Sequence, residues 1–314
     1  MGGPAVLEGA LKLMGIRIPK KFAMLVLLVS GATCAGFAQS PPAAARTSGF
    51  VFYEAFEGDT NSAGQVMILS SSVTYRFNQH FSAGAGIPLY FDRASAATTG
   101  STATTSTGIG NVFGVARAVW RTPVVNYGTA LTGTAPSGSS QNGLSTGHAT
   151  FDWDNRFDRR IGPLTPFVDG GVANSISDTR YFLRPFSTYG NLAHFEGGAD
   201  VNLHRGLSVT LSAYDIVPWG TQTVVSRVVP GSGTGVGNLV AALHQRVFET
   251  AHETTGTATL TQDHGFIAGL SANPKPYLDL ALGYSRSINY ALNTVSFGVG
   301  VNLSALFGKN DKGT

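Results

Sequence analysis

Cysteine is nearly absent from this 314-residue chain: its one cysteine, Cys34, lies in an N-terminal apolar segment, so neither a disulfide framework nor a thiolate metal site has anything to build on. Charge is scarce too, at 12% of residues against about 25% in an average globular domain, which argues against an ordinary cytosolic enzyme. Long hydrophobic runs are missing after residue 38. None approaches the ~18 to 20 apolar residues of a spanning helix, so a helical membrane protein is excluded. That exclusion holds although 43% of residues are hydrophobic and mean hydropathy is +0.09. What the chain has in excess is glycine, 40 residues of it.

Residues 1–38 have the layout of an export signal. Arg17, Lys20 and Lys21 form the basic part, Phe22 to Val29 the apolar part, and Gly36-Phe37-Ala38 a small-x-small cleavage site before Gln39, with Met14 as an alternative start. This segment holds Lys12, Arg17, Lys20 and Lys21 against Glu8, which accounts for the whole formal net charge of +3. The remainder is formally neutral, so the sequence pI near 9.0 is no footprint of nucleic-acid binding.

From Phe50 onward, segments of about ten residues alternate apolar with small or polar side chains, the period-two signature of strands. Val73, Tyr75 and Phe77 alternate with Ser72, Thr74 and Arg76; Leu278, Leu280, Leu282 and Tyr284 alternate with Asp279, Ala281, Gly283 and Ser285. Twelve strands are expected, starting near residues 50, 65, 81, 109, 124, 148, 164, 191, 207, 264, 276 and 294. Short turns are expected at 78–80, 121–123, 158–163, 203–206 and 272–276. Long polar loops are expected at 57–64, 92–107, 134–147, 174–190 and 220–262, with a shorter one at 288–293. An even strand number with alternating connections predicts an all-β, transmembrane antiparallel barrel in the outer membrane, with periplasmic short turns and extracellular long loops. A closed barrel is the one sheet that leaves no edge unpaired in hydrocarbon. A soluble sandwich gives the same alternation. The small residues on the polar face, the aromatics near strand ends (Phe77, Phe81, Trp120, Phe157, Trp219) and the export signal separate the two.

The expected organisation is a signal peptide over 1–38, a short periplasmic segment over 39–49, the barrel over 50–305 and a tail over 306–314. The last strand, Val295 to Leu303, resembles the C-terminal signal read by the outer-membrane assembly machinery, with Phe307 as a candidate for its terminal aromatic. Asn238 to Glu253 has helical spacing. It fits either a helix folding into the mouth or a surface helix atop a hairpin built from 221–229 and 257–265.

Assigning each polar face to the lumen places Arg76, Arg117, Asp152, Asp154, Arg156, Asp169, Glu196, Asp200 and Asp279 inside, and Glu54 is added to them although its strand is apolar on both faces. Two readings of these charges stay open: a solute path with a mild cation preference, or a filled interior in which acids and arginines neutralise one another. His244, Glu249, His252, Glu253, Asp263 and His264 lie close in sequence but form no recognisable ligand motif, so no metal is expected. No cofactor and no nucleic acid are expected either. Outer-membrane lipids and small solutes are the anticipated partners. A lipid hydrolase is the enzyme alternative, resting on a wall Ser–His pair. His148 and His194 are the strand histidines, and both share parity with lumen acids.

Gly108-Ile109-Gly110-Asn111-Val112, Thr134-Ala135-Pro136-Ser137-Gly138 and Gly143-Leu144-Ser145-Thr146-Gly147 follow one another along the chain. Together they resemble the outer-membrane transporter family associated with the meta pathway of phenol degradation. In that family a G-x-G-D strand start precedes a P-T-G loop and a G-x-G-x-G stretch. Asn111 stands where the family has Asp, and Ser137 where it has Thr. The resemblance spans roughly residues 50 to 305. It implies passive diffusion of small, often aromatic or hydrophobic, solutes through a narrow barrel; a closed structural or adhesive barrel is the alternative.

Overall fold

The computed structural model describes residues 48–94, 105–176, 183–204, 206–227 and 253–307. The export-signal segment 1–38, the tail beyond 307 and nearly all of the expected helix at 238–253 lie outside the described residues.

Sixteen strand segments follow one another: β1 (Gly49–Asn61), β2 (Gly64–Arg76), β3 (Phe81–Ala94), β4 (Thr105–Ile109), β5 (Phe113–Trp120), β6 (Asn126–Thr134), β7 (Thr150–Asp158), β8 (Leu164–Ala173), β9 (Phe186–Tyr189), β10 (Leu192–His204), β11 (Leu207–Pro218), β12 (Gln222–Ser226), β13 (Glu253–Gly256), β14 (Asp263–Lys275), β15 (Leu278–Ser287) and β16 (Leu292–Asn302). A short helix α1 (Leu303–Phe307) ends the described chain. Each wall strand pairs antiparallel with the next, and β1 pairs with β16 from Tyr53↔Asn302 to Thr60↔Val295, closing a twelve-stranded barrel. β4 and β5 together make one of the twelve, both pairing with β3.

The break between β4 and β5 has a local cause. Gly110 N–H donates to the Pro88 carbonyl at 2.8 Å, but Pro88 has no N–H to return, so the ladder is interrupted there. Residues 110–112 turn instead to the β6–β7 loop. Val112 N–H donates to Ser137 Oγ at 2.8 Å, Ser137 Oγ donates to the Gly110 carbonyl at 3.2 Å, and Gly138 N–H donates to Asn111 Oδ1 at 3.2 Å. Two of the sequence stretches that carried the family resemblance therefore meet in space.

The N-terminal end of β1, the end of β16, Gly206 between β10 and β11, and the turns at 77–80, 121–125, 159–163 and 276–277 share the periplasmic end. Long connections leave the other end, and three expectations are corrected. The expected loop at 57–64 is strand up to Asn61 with a tight turn to Gly64, whose φ of +151° favours glycine. The final strand stops at Asn302, so Leu303 and Phe307 belong to α1. Ser304 Oγ accepts from Phe52 N–H there, and Phe307 stands exposed. The expected hairpin in the 220–262 region is also different. β12 pairs with β13 on one side and with β9, from the β8–β10 connection, on the other.

The outer wall is apolar and exposed, as in Trp153, Val168, Leu211, Leu282 and Val295. Near the periplasmic end an aromatic girdle forms from ring contacts: Phe50 with Tyr75, Tyr75 with Phe77, Phe81 with Trp120, Trp120 with Tyr127, and Tyr127 with Phe157. Such belts place amphipathic rings at the headgroup level.

The buried apolar cluster lies inside the extracellular half of the barrel. Wall residues Val66, Ile68, Tyr90, Tyr214, Ile216 and Ile267 pack with connection residues Leu144, Ile176, Leu183, Phe186, Val224 and Leu260. The three-stranded sheet β13-β12-β9 contributes to this infolded core.

Candidate functional site

The lumen is the candidate site, and its two halves are built from different chemistry. In the periplasmic half, Arg156 on β7 is the hub. Its guanidinium donates to Asp169 on β8 at 3.0 Å and to Asp200 on β10 at 3.3 Å, stands 4.0 Å from Asp158, and covers the Phe167 ring at 3.9 Å. The carboxylates are held in turn from β11: Thr210 donates to Asp200 at 2.5 Å and Ser212 to Glu196 at 2.6 Å. These groups share one face because the alternation that turns Trp153 and Phe157 to lipid turns Asp152, Asp154 and Arg156 inward.

Glycines on the inner face let longer side chains lie across a neighbouring strand. His194 on β10 reaches over Gly171 on β8 to donate from Nε2 to Asp152 Oδ1 at 2.9 Å; a Cβ at Gly171 would lie 2.5 Å from that nitrogen. Tyr53 on β1 crosses Gly300 on β16 in the same way and donates to Asp279 Oδ2 on β15 at 2.7 Å, where Asn273 also donates. Part of the glycine surplus thus supplies room for polar side chains rather than loops.

In the extracellular half, Arg184 from the β8–β10 connection donates to Asp263 Oδ2 at 2.8 Å, with 1% of the arginine side chain and 0% of the aspartate exposed. Asp263 also accepts from Tyr214 at 2.9 Å and from Ser287 at 2.7 Å. Arg227, just after β12, donates to the Arg184 carbonyl at 2.9 Å and stands 4.8 Å over the Tyr90 ring. Beside them Tyr290, in the β15–β16 turn, donates to the Leu260 carbonyl at 2.5 Å. Burial, with Asp263 nearby, pushes the Tyr290 phenol up, so it stays a neutral donor.

Of the residues expected in the lumen, Arg76, Arg117, Asp152, Asp154, Arg156, Asp169, Glu196, Asp200 and Asp279 lie on the inner face. Glu54 does not. It pairs with Ser71 on the outer face, accepting from Ser71 Oγ at 3.3 Å, in line with Phe50, Phe52 and Phe56. Its neighbours decide its side, because inward and outward alternate strictly along β1.

Sequence reasoning missed Glu57, Asp59, Asp92, Asp158 and Asp263 on the inner face, and the two arginines that connections carry inside. The wall acids among them could have been found by extending strand parity to the strand ends. Arg184 and Arg227 carried no periodic signal.

The hydrolase and metal readings find no assembled site among the described residues. His148 precedes β7 rather than lying in it, and its ring stacks on Tyr189 at 4.2 Å; His194 pairs with Asp152, and neither ring bonds a serine hydroxyl. Gly143-Leu144-Ser145-Thr146-Gly147 also has the G-x-S-x-G spacing of a nucleophile elbow, which corrects the sequence reading that no such elbow occurs. It lies in the β6–β7 connection, and Ser145 is buried with its Oγ accepting from Gly147 N–H at 3.0 Å. Asp263 faces inward while His264 is exposed on the outer face, so strand alternation parts them.

No known protein family and no curated protein matches the chain. Among solved structures it is similar to the COG4313 outer membrane channel from Pseudomonas putida F1, with a TM-score of 0.54 at 10% identity, over 84% of this chain and 99% of that one. It is more loosely similar to the NanC porin, with a TM-score of 0.44 at 8% identity over 79% and 98% of the two chains. The KdgM porin in complex with disordered oligogalacturonate follows, with a TM-score of 0.43 at 10% identity over 81% and 98%. The fold is that of an outer-membrane β-barrel, and its solved structural neighbours include outer-membrane channels and porins.

Proposed function

We propose that the chain carries out passive diffusion of small solutes across the outer membrane, with a preference for cations. The observation that carries this reading is the inner wall of the periplasmic half. Its carboxylates outnumber its arginines, and Arg156, Asp169 and Asp200 keep 12 to 18% of their side chains exposed. Lumen charges of one sign set ionic selectivity. The resemblance to the phenol meta-pathway transporters supports aromatic or hydrophobic solutes, and the rings of Tyr90, Phe186 and Tyr214 inside the extracellular half suit them. Export by residues 1–38 and delivery to the assembly machinery through the last strand belong to the same proposal.

The test is single-channel conductance of the protein purified from outer membranes, in a planar bilayer under a salt gradient. Discrete ohmic steps with a cation-leaning reversal potential are expected, and D152N/D154N moves that potential toward zero. A folded, heat-modifiable barrel that conducts nothing overturns the reading. It would favour a closed structural barrel, the alternative that the apolar core across the extracellular half supports.

A further inference from the structure

Tyr90 on β3 and Tyr214 on β11 face each other across the barrel, with five wall strands between them on either side. Each side chain lies against a glycine of the neighbouring wall segment, the Tyr90 ring against Gly110 and the Tyr214 hydroxyl against Gly265, where a Cβ would collide with it. Each is accompanied by a buried inward carboxylate: Asp92, two residues after Tyr90, and Asp263, which accepts from Tyr214. A guanidinium stands over each ring, Arg227 at 4.8 Å from the Tyr90 centroid and Arg184 at 5.3 Å from the Tyr214 centroid. The two walls thus repeat one arrangement of ring, glycine, carboxylate and cation, although no sequence repeat connects them.

The arginines come from connections, while the rings and carboxylates come from the wall. Arg227 N–H donates to the Pro185 carbonyl at 2.8 Å and its Nη1 to the Arg184 carbonyl, so the two cations are tied together as a bar spanning the lumen. The fit is tight on one side and loose on the other. Arg184 makes a 2.8 Å bond to Asp263, whereas both carboxylate oxygens of Asp92 are buried without a hydrogen bond, although Arg227 is the charge acting on it. A buried carboxylate without a donor is a costly arrangement, and a smaller, freely oriented cation would satisfy it better.

Resting on the diffusion reading, we propose that the wall carries two subsites for organic cations, Tyr90 with Asp92 and Tyr214 with Asp263. Arg227 and Arg184 occupy them as built-in surrogates for a guanidinium- or ammonium-bearing solute. The solute enters by displacing the arginine bar, exchanging one ring-stacked cation beside a carboxylate for another. Aromatic faces with a carboxylate recognise such cations through quadrupole attraction and charge together. Sodium gains little from a ring face, so selection favours organic cations over simple salts.

The experiment is chemical rescue in the full-length barrel. R227A removes one surrogate, and its heat-modifiability midpoint is read with and without millimolar methylguanidinium, with sodium and acetate salts as controls. A lowered midpoint that methylguanidinium raises in a dose-dependent, saturable way is expected, since a ligand that binds only the folded state stabilises it by mass action. Adding D92N should weaken that rescue about tenfold in apparent affinity. R227Q, which keeps the stem packing, serves if R227A does not fold. Absence of rescue in both, or rescue that D92N leaves unchanged, overturns the subsites whether or not the barrel conducts. Rescue without any methylguanidinium current in the same variants supports the subsites and overturns the diffusion reading instead.

Discussion

In the extracellular half of the barrel, one arginine and one aspartate meet at 2.8 Å with 1% and 0% of their side chains exposed; in the periplasmic half, Arg156 serves Asp158, Asp169 and Asp200, all of which keep some exposure. The same strands line both halves. What differs is what fills the space between them: infolded connections with apolar side chains above, polar side chains open to water below. The lesson is that a barrel wall sets only which way a residue points. The dielectric that residue meets is set by the connections.

Breaking the upper pair has the largest expected effect. Asp263→Ala strands Arg184 in an apolar surround and should lower stability by about 3–5 kcal/mol, measured by urea unfolding in detergent. Arg156→Ala leaves carboxylates that water can still reach, and about 1–3 kcal/mol is expected in the same assay. Equal losses for the two would erase the comparison. A sharper version replaces both Arg184 and Asp263 with leucine, which should recover most of the single-mutant loss, because a buried pair exchanged for apolar residues is often neutral.

Smaller effects probe the glycine crossings. Gly171→Ala places a Cβ 2.6 Å from the Trp153 carbonyl as well as against His194, so backbone must move; about 1–3 kcal/mol is expected, together with loss of the His194–Asp152 contact seen by imidazole NMR. Ser137→Ala removes the hydroxyl that bridges Val112 and Gly110, and should cost about 1 kcal/mol with faster amide exchange at Val112. The smallest effect has the opposite sign. Glu54→Leu removes a carboxyl from the outer face and should raise stability by up to about 1 kcal/mol in lipid vesicles, and a loss there would contradict its outward placement.

All twelve wall strands were legible because period two survives wherever one face meets lipid and the other does not. The expected starts at 65, 81, 164 and 207 fall within one residue of β2, β3, β8 and β11. Legibility failed where the pattern carried the wrong sign. Glu57 and Asp59 look like the beginning of a polar loop, yet both continue β1 into the lumen. Glu54 lies on a strand that is apolar on both faces, so parity gives its side no signal, and Phe52 and Phe56 on either side share its face and point outward. The infolded half of the site was not legible at all. Arg184 and Arg227 lie in connections without periodicity, and their position follows from packing against residues far away in the chain, such as Asp263 and Tyr90.

The seam between β1 and β16 joins the two ends of the barrel, and the Phe52–Ser304 contact beside it spans 252 residues of chain. No early portion of the polypeptide can close this sheet, because its partner is made last. Closure of the barrel therefore waits for the last strand: the β1 edge stays open to wrong pairing until β16 joins it, and such long-range closure is intrinsically slow. A chain cut anywhere before Leu292 should not yield a smaller barrel. It should yield an unclosed sheet, handed to proteolysis rather than to the membrane.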